Sequence, residues 1–242
     1  GLRQRESGQL QTFRNKVGQR IIPAFLSVES DASLVDFNGV ALSGHYTYDS
    51  EGVASRKVVL VEKGVLKDFL LSRRPIAGYL HSNGHGRSDS GELPEGRMAT
   101  LIIKPHGGLP AATLRQRFLE EIRRQKKRHG YRLVSMRSGE AQTNKGQSQS
   151  FLARPRLIFQ VAADGSETLV RGLEYVGTPL VAIERIVAAG DQLHAGNAVC
   201  GSSSGWVPVS EIAPEVLLSE LELQKEREDR FRAPLLKGPM FR

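Results

Sequence analysis

The residue of this chain whose type and setting best suit chemistry is Cys200, the only cysteine among 242 residues. A disulfide within the chain is therefore excluded. A cysteine thiolate is a nucleophile and a metal ligand, and Cys200 is followed by Gly201 and the turn-forming run Ser202–Gly205 rather than by apolar residues. This setting favours a functional thiol, with a buried packing cysteine as the alternative.

Two histidines, His81 and His85, have the spacing that would put two metal ligands on one face of a helix. The residues between and after them include Asn83, Gly84 and Gly86, which favour a loop, and no acidic residue adjoins either histidine. We therefore predict a glycine-rich loop at this point and do not assign the pair to a metal.

The segment Gly201–Gly205 satisfies G-x-S-x-G, the pattern around the nucleophilic serine of many hydrolases. That arrangement needs a strand before the serine and a helix after it. Here Trp206–Val209 follows, which is typical of a strand and contains a proline that opposes helix formation. We interpret Ser203 as part of a turn next to Cys200.

Asp49 and Glu51 could be read as paired catalytic carboxylates. Their position in the turn-like sequence Tyr48–Gly52 favours a simpler role, in which a side chain caps a turn before the strand that begins near Arg56.

The net charge of +8 raises the possibility of nucleic-acid binding, and much of it is concentrated in one segment. Leu114, Phe118 and Ile122 recur every four residues there, which predicts an amphipathic helix ending near His129. Its basic residues are Arg115, Arg117, Arg123, Arg124, Lys126, Lys127 and Arg128. No interleaved aromatic residues accompany them, so we favour a solvated helix face and keep a basic nucleic-acid-binding module as an alternative function.

The remaining pattern is mainly strand and turn. Two hairpins are predicted, at residues 56–71 around Lys63–Gly64 and at residues 157–170 around Asp164–Ser166. Thr178 and Pro179 predict the start of a second helix that would stop at Gly190.

Three further segments complete the predicted organisation. Residues 216–223 alternate like a half-buried strand, residues 139–150 resemble a loop over the site, and residues 225–242 form a charged tail. The expected fold class is α+β, an antiparallel strand-rich domain arranged as a sheet or barrel-like, with two main helices. No segment approaches the roughly 20 apolar residues that span a bilayer.

Several sequence blocks in one order resemble the C-terminal domain of the TldD/PmbA family of zinc-dependent peptidases. The blocks are FLSVESDAS (25–33), YDSEGVASRKVVLVEKGVLKDFLLSR (48–73), SNGHGR (82–87), GRMATLII (96–103), VRGLEYVGTPLVAIERIVAAGDQL (170–193) and NAVCGSSSGWVPVSEIAPEVLLSELELQK (197–225). The resemblance divides the chain into an opening segment 1–24, the family-like domain 25–224 and the tail 225–242.

The resemblance implies zinc as the cofactor and Cys200 as one of its ligands. In catalytic members of the family, a cysteine at this position joins two histidines of an upstream HExxxH helix. No HExxxH occurs in this sequence, and residues 1–13 resemble the stretch that directly follows that helix. The catalytic glutamate is therefore expected outside this chain, and the chain alone is expected to be inactive.

The resemblance also implies small or unfolded peptide substrates that are cleaved inside a homodimer or a heterodimer with a family paralogue. Within the matching blocks we predict Arg87, His85 and Arg97 as substrate-binding residues, with Arg87 meeting a carboxylate or a backbone carbonyl. The alternative is a non-catalytic partner of an active subunit. We expect a cytoplasmic protein with no membrane partner and no specific nucleic-acid partner, although the sequence does not exclude export of the parent protein.

Overall fold

Strands dominate the computed structural model, which describes residue 13 and residues 15–76, 78–142 and 150–226. The strands are β1 (Leu26–Asp31), β2 (Asp36–Phe37), β3 (Val40–Ala41), β4 (Lys57–Glu62), β5 (Val65–Leu66), β6 (Gly86–Arg87), β7 (Glu95–Gly96), β8 (Thr100–Pro105), β9 (His129–Gln142), β10 (Ser150–Ala162), β11 (Glu167–Val170), β12 (Leu173–Gly177), β13 (Ile186–Ser202), β14 (Gly205–Leu218) and β15 (Leu223–Lys225). The helices are α1 (Ala111–Arg124) and α2 (Pro179–Glu184).

The larger sheet has the strand order β13-β14-β8-β1-β4-β5. Its neighbouring strands are antiparallel except β14 and β8, which pair in parallel with Ser210 opposite Thr100. Buried apolar side chains from these strands form clusters, one around Val61 and Leu66 and another around Ile102 and Ile212. The long β13–β14 hairpin is thereby fixed to the sheet along β8.

The second sheet is built on β10. Strand β9 pairs with β10 on one side, β11 and β12 pair with it on the other, and β15 pairs with β12. Helix α1 contacts both sheets, because Leu114 packs with Ala188 and Leu217 whereas the Phe118 ring lies against Gly130 of β9.

The α+β class and the richness in strands are confirmed. Within the described ranges neither sheet closes on itself, so the barrel-like alternative is not confirmed. The purely antiparallel arrangement was wrong at one pair, because β14 runs parallel to β8. None of the described helices is long and apolar enough to cross a membrane.

The first predicted helix is confirmed, with its bounds moved to Ala111–Arg124. The chain leaves the helix just beyond, where Lys126 has φ of 54°. The second predicted helix was wrong in length, since α2 ends at Glu184 and the chain enters β13 at Ile186. As part of this strand, Ala188 pairs with β14 and is buried.

The hairpin of β10 and β11 is confirmed around Asp164–Ser166. The β4–β5 hairpin is confirmed at its turn, where Lys63 and Gly64 both have positive φ, but β5 stops at Leu66. The next residues leave the sheet edge, yet Phe69 and Leu71 are buried in the core.

The predicted strand over residues 216–223 is divided between β14 and β15, which leaves residues 219–222 outside strands. The predicted loop over residues 139–150 was wrong at residues 139–142, which belong to β9, and at Ser150, where β10 begins. Residues 143–149 and residues 227–242 of the predicted tail lie outside the described residues.

Candidate functional site

Cys200 lies two residues before the turn of the β13–β14 hairpin and is a free, half-buried thiol. It is paired with Val207 of β14, which is only 3% exposed. Directly opposed residues share one face of a sheet and adjacent residues alternate between faces. Cys200 therefore lies on the inward face of the hairpin, whereas Val199 and Trp206, 61% and 66% exposed, lie on the outward face.

Gly201 separates Cys200 from the turn and lies under the ring of Trp206. A Cβ atom at Gly201 would be 2.8 Å from carbon atoms of the Trp206 ring, closer than ordinary contacts allow. The glycine thus lets the indole lie across β13 beside Cys200.

Arg97 connects the two strands of the hairpin at this end. Its Nη2 donates to the carbonyl oxygen of Cys200 at 2.5 Å, and its Nη1 donates to Ser204 Oγ at 2.6 Å and to the carbonyl oxygen of Gly205 at 3.2 Å. The backbone N–H of Arg97 donates to the carbonyl oxygen of His85 at 2.9 Å. The arginine is buried, with 6% of its surface exposed.

The loop that precedes Arg97 also holds the hairpin turn. Ser203 Oγ donates to the carboxylate of Glu95 at 2.9 and 3.0 Å, and the N–H of Asp89 donates to the carbonyl oxygen of Ser204 at 2.9 Å. Ser203 is therefore part of a hairpin turn followed by a strand, as predicted, and not of a strand-to-helix elbow.

Arg87 is a second buried arginine in the same region. Its Nη1 and Nη2 donate to the carbonyl oxygens of Met98 and Pro208, both at 2.7 Å, and its guanidinium carbon lies 4.8 Å from the centroid of the Tyr46 ring. Burial lowers the pKa of Arg87; attraction to Tyr46 opposes this shift, repulsion from Arg97 adds to it, and a smaller attraction to Cys200 opposes it.

Tyr46 is a member of this cluster that the sequence did not reveal. Its hydroxyl donates to the carbonyl oxygen of Gly84 at 2.9 Å. Burial raises the pKa of Tyr46, and the nearby charge of Arg87 partly offsets this. Ser204 was missed as well, because nothing in the sequence distinguishes it from Ser202 and Ser203.

His85 is fully buried, with no exposed surface. Its Nδ1 lies 3.2 Å from the carbonyl oxygen of Asn83 and its Nε2 lies 3.0 Å from Ser30 Oγ. Because a carbonyl only accepts, Nδ1 carries the proton and Nε2 accepts from the serine hydroxyl. Burial lowers the pKa of His85, which favours the same neutral state.

The predicted glycine-rich loop is confirmed in that residues 81–85 belong to no helix. His81 is exposed whereas His85 is buried, so the two histidines do not form a ligand pair on one face. The prediction that Arg87, His85 and Arg97 bind substrate stays a prediction. In this structure each of the three side chains bonds to groups of its own chain.

The turn role of Asp49 is confirmed. Its Oδ1 accepts from the N–H groups of Glu51 and Val53, and its Oδ2 accepts from that of Gly86. Glu51 instead accepts from the N–H of Arg73 at 2.6 Å, so Asp49 holds the backbone between His85 and Arg87 and Glu51 holds the segment at Arg73.

The donor set that this chain offers to a metal is small. In the part of the chain that the structure describes, no three His, Cys, Asp or Glu residues are grouped as metal ligands would be. Cys200 fits a zinc site by its ligand type and its half-buried position. Further ligands would have to come from residues beyond those described.

The basic helix α1 uses several of its charges within the molecule. Arg115 donates to the carbonyl oxygen of Gly165 at 3.0 Å, Arg123 donates to that of Ala163 at 2.7 Å, and Arg124 pairs with Glu121. The bonds of Arg115 and Arg123 hold the β10–β11 turn against α1, which supports a structural use of these charges over a nucleic-acid interface.

Residues 7–225 match the family described as PmbA/TldA metallopeptidase C-terminal domain. A metalloprotease of Methanothermobacter thermautotrophicus is 30% identical over 205 residues, which cover 84% of this chain and 41% of the relative. A zinc metalloprotease TldD homolog of Saccharolobus solfataricus is 27% identical over 220 residues, covering 90% of this chain and 45% of the relative. The chain therefore spans less than half the length of these curated relatives.

Two solved structures share the fold. TldE from Thermococcus kodakarensis superimposes with a TM-score of 0.60 at 17% identity, over 88% of this chain and 42% of the other. A putative modulator of a DNA gyrase from Thermotoga maritima gives a TM-score of 0.58 at 20% identity, over 89% of this chain and 42% of the other.

Proposed function

The chain belongs to the PmbA/TldA metallopeptidase C-terminal domain family, and from this we propose that it forms the C-terminal part of a zinc peptidase. In this proposal the chain contributes Cys200 to the metal and several strands to the substrate cavity. The observation that carries the proposal is the position of Cys200, a thiol held next to a fixed hairpin turn on the inward face of β13.

Cys200 would bind the metal through its sulfur as a thiolate. Zinc, when bound, supplies a Lewis acid that polarises the scissile carbonyl and makes water available as hydroxide near neutral pH. In this proposal the buried cation Arg87, which is attracted electrostatically to Cys200, would offset part of the negative charge on the thiolate. The general base of hydrolysis would come from outside this chain, which is why the chain alone is proposed to be inactive.

The proposed substrates are small or unfolded peptides. Among the described strands, one of the two edge strands of the larger sheet is β13, which also carries Cys200, so an extended peptide beside the thiol could add to the sheet through main-chain hydrogen bonds. Such binding discriminates little between side chains and suits a peptidase that accepts unfolded segments of varied sequence.

We further propose that the parent protein works in the cytoplasm as a homodimer or as a heterodimer with a family paralogue. The names of the relatives support the metalloprotease assignment, and the likeness to TldE supports only a shared fold. A non-catalytic subunit that accompanies an active partner is the competing function.

The test compares the full-length parent protein with its Cys200→Ala and Cys200→Ser variants. We expect the wild type to contain about one zinc per active site and to cleave an unfolded peptide, with zinc and cleavage lost together in Cys200→Ala. Cys200→Ser keeps the size of the side chain but offers a poorer zinc ligand, so it should lose most of both properties while folding normally.

Exposed Val199, on the opposite face of the same strand, provides the matched control. Val199→Ala should keep zinc and activity. Absence of zinc from the wild type would contradict the proposal and favour the non-catalytic subunit.

A further inference from the structure

We propose that Arg97 is a positioning residue for Cys200. In this inference its guanidinium group fixes the backbone of the β13–β14 hairpin, so that the thiol is presented to the metal at one place. The inference rests on the proposed function for the presence of a metal, but the positioning itself concerns only residues of this chain.

The bonds of Arg97 span the hairpin at the end where the thiol lies. One nitrogen bonds the carbonyl oxygen of Cys200 on β13, and the other bonds Ser204 in the turn and Gly205 at the start of β14. A guanidinium group is planar and its donors have fixed directions. The guanidinium group therefore fixes the relative positions of its three acceptors, which lie on β13, in the turn and on β14.

The backbone that carries this guanidinium is itself rigidly held. The N–H of Arg97 is bonded to His85, and the neighbouring Gly96 packs so closely that a Cβ atom there would lie 1.9 Å from the carbonyl oxygen of Leu70. The arginine therefore links the hairpin to the backbone at His85 and Leu70, and a movement of the turn would require these bonds to break.

The same contacts argue against a direct contact between Arg97 and substrate. Both terminal nitrogens already donate to the protein, and the side chain is 6% exposed. Arg87 differs, because its bonds go to Met98 and Pro208 rather than to the backbone of Cys200. Arg97 is thus the arginine whose loss acts directly on the position of the thiol.

The experiment uses the full-length parent protein with Arg97→Lys, which keeps the positive charge but cannot span the three acceptors. Arg115→Lys is the matched control, since Arg115 also donates to a carbonyl of a hairpin turn, that of Gly165, far from Cys200 in the sequence. Three quantities are measured: the rate at which iodoacetamide alkylates Cys200 in zinc-free protein, the zinc affinity, and kcat with KM for peptide cleavage. Mass spectrometry of the peptide that contains Cys200 reports the first.

For Arg97→Lys we expect alkylation to become severalfold faster, because the half-buried thiol is no longer held. Zinc affinity should fall by about 10- to 100-fold, the usual effect of losing a group that orients a metal ligand. We expect kcat to fall while KM changes little. Arg115→Lys should leave all three quantities at their wild-type values.

Two results would overturn the inference. A raised KM with unchanged kcat, alkylation and zinc affinity would make Arg97 a substrate-binding residue. Equal thermal destabilisation by Arg97→Lys and Arg115→Lys, with no change in the alkylation of Cys200, would reduce it to general structural support.

A second variant covers the case in which Arg97→Lys does not fold. Ser204→Ala removes one acceptor of Arg97 at a position that is 1% exposed, and it should accelerate alkylation to a smaller extent. An unchanged alkylation rate in this variant would also overturn the inference. If the wild type holds no zinc and cleaves nothing, the proposed function fails, whereas the alkylation comparison still decides whether Arg97 positions the thiol.

Discussion

At the scale of single residues, the polar side chains near the β13–β14 hairpin are buried and hydrogen-bonded within the protein. Arg87 and Arg97 donate to carbonyl oxygens, and the ring of His85 is held between Asn83 and Ser30. The sequence identified these residues because they lie in family-like blocks. It could not reveal their acceptors, because the bonds from Arg97 reach carbonyls more than a hundred residues further along the chain.

One prediction at this scale concerns the acid stability of the domain. The pKa of His85 is lowered below 6.5 in the folded state, so the unfolded state binds its proton first as the pH falls. The stability contributed by neutral His85 is present above the unfolded-state pKa of 6.5 and is lost as the pH falls towards the folded-state pKa, by at most about 1.4 kcal/mol per pH unit. Urea denaturation between pH 7.5 and 5 measures this loss.

The controls for this prediction separate buried from exposed histidine. His85→Gln should remove most of the extra loss of stability below pH 6.5, at some cost in stability at neutral pH. His81→Gln, at an exposed position, should leave the pH dependence as it is in the wild type. An identical pH dependence in all three proteins would contradict the assignment to His85.

At the scale of elements, the site depends on a long hairpin and on short strands that hold its turn. The sequence predicted the β10–β11 hairpin correctly because its turn chemistry is local, with Asp164 accepting from Ser166. It failed at residues 186–190, where an apolar run suits a helix or a strand equally. Pairing with β14 decided between them, and that pairing is invisible in a local pattern.

A prediction at this scale concerns the short strand β7, which leads into Arg97. In Gly96→Ala the new methyl group would meet the backbone of Leu70, which cannot move away as a side chain can. We expect a loss of about 2 to 3 kcal/mol in the free energy of unfolding. Chemical denaturation measures it.

Gly139→Ala in β9 is the matched control, because a Cβ atom there would lie 3.6 Å from the Phe151 ring, an ordinary contact. This variant should change the stability by no more than about 0.5 kcal/mol. Equal losses of stability in the two variants would show that the close packing of Gly96 against the backbone of Leu70 is not important for stability.

At the scale of the whole molecule, the described residues form their own apolar clusters, and they include Cys200, the metal ligand that the sequence predicts. The fold class was predictable because it follows from strand-rich patterning and turn residues. Further ligands of the proposed metal site could not be predicted, because the chain spans less than half the length of its curated relatives.

A prediction at this scale is that the fold of the domain does not depend on the proposed metal. Removing zinc from the parent protein with 1,10-phenanthroline should abolish cleavage but leave the strand signal in circular dichroism unchanged. The stability lost should be limited to the binding contribution, about 2.7 kcal/mol when free zinc is at 100 times its Kd. Added zinc should restore activity. Cooperative unfolding on chelation would contradict the view that the apolar clusters hold this domain together.

The parallel pairing of β14 with β8 has a consequence for biosynthesis. A ribosome makes β8 about a hundred residues before β14, so the edge of β8 that β14 finally covers must wait unpaired while α1 and the second sheet are synthesised. Contacts so distant along the chain form slowly, and exposed strand edges attract other chains. The hairpin with Cys200 is therefore expected to join the sheet late in folding, so that the thiol reaches its place only after most of the domain exists.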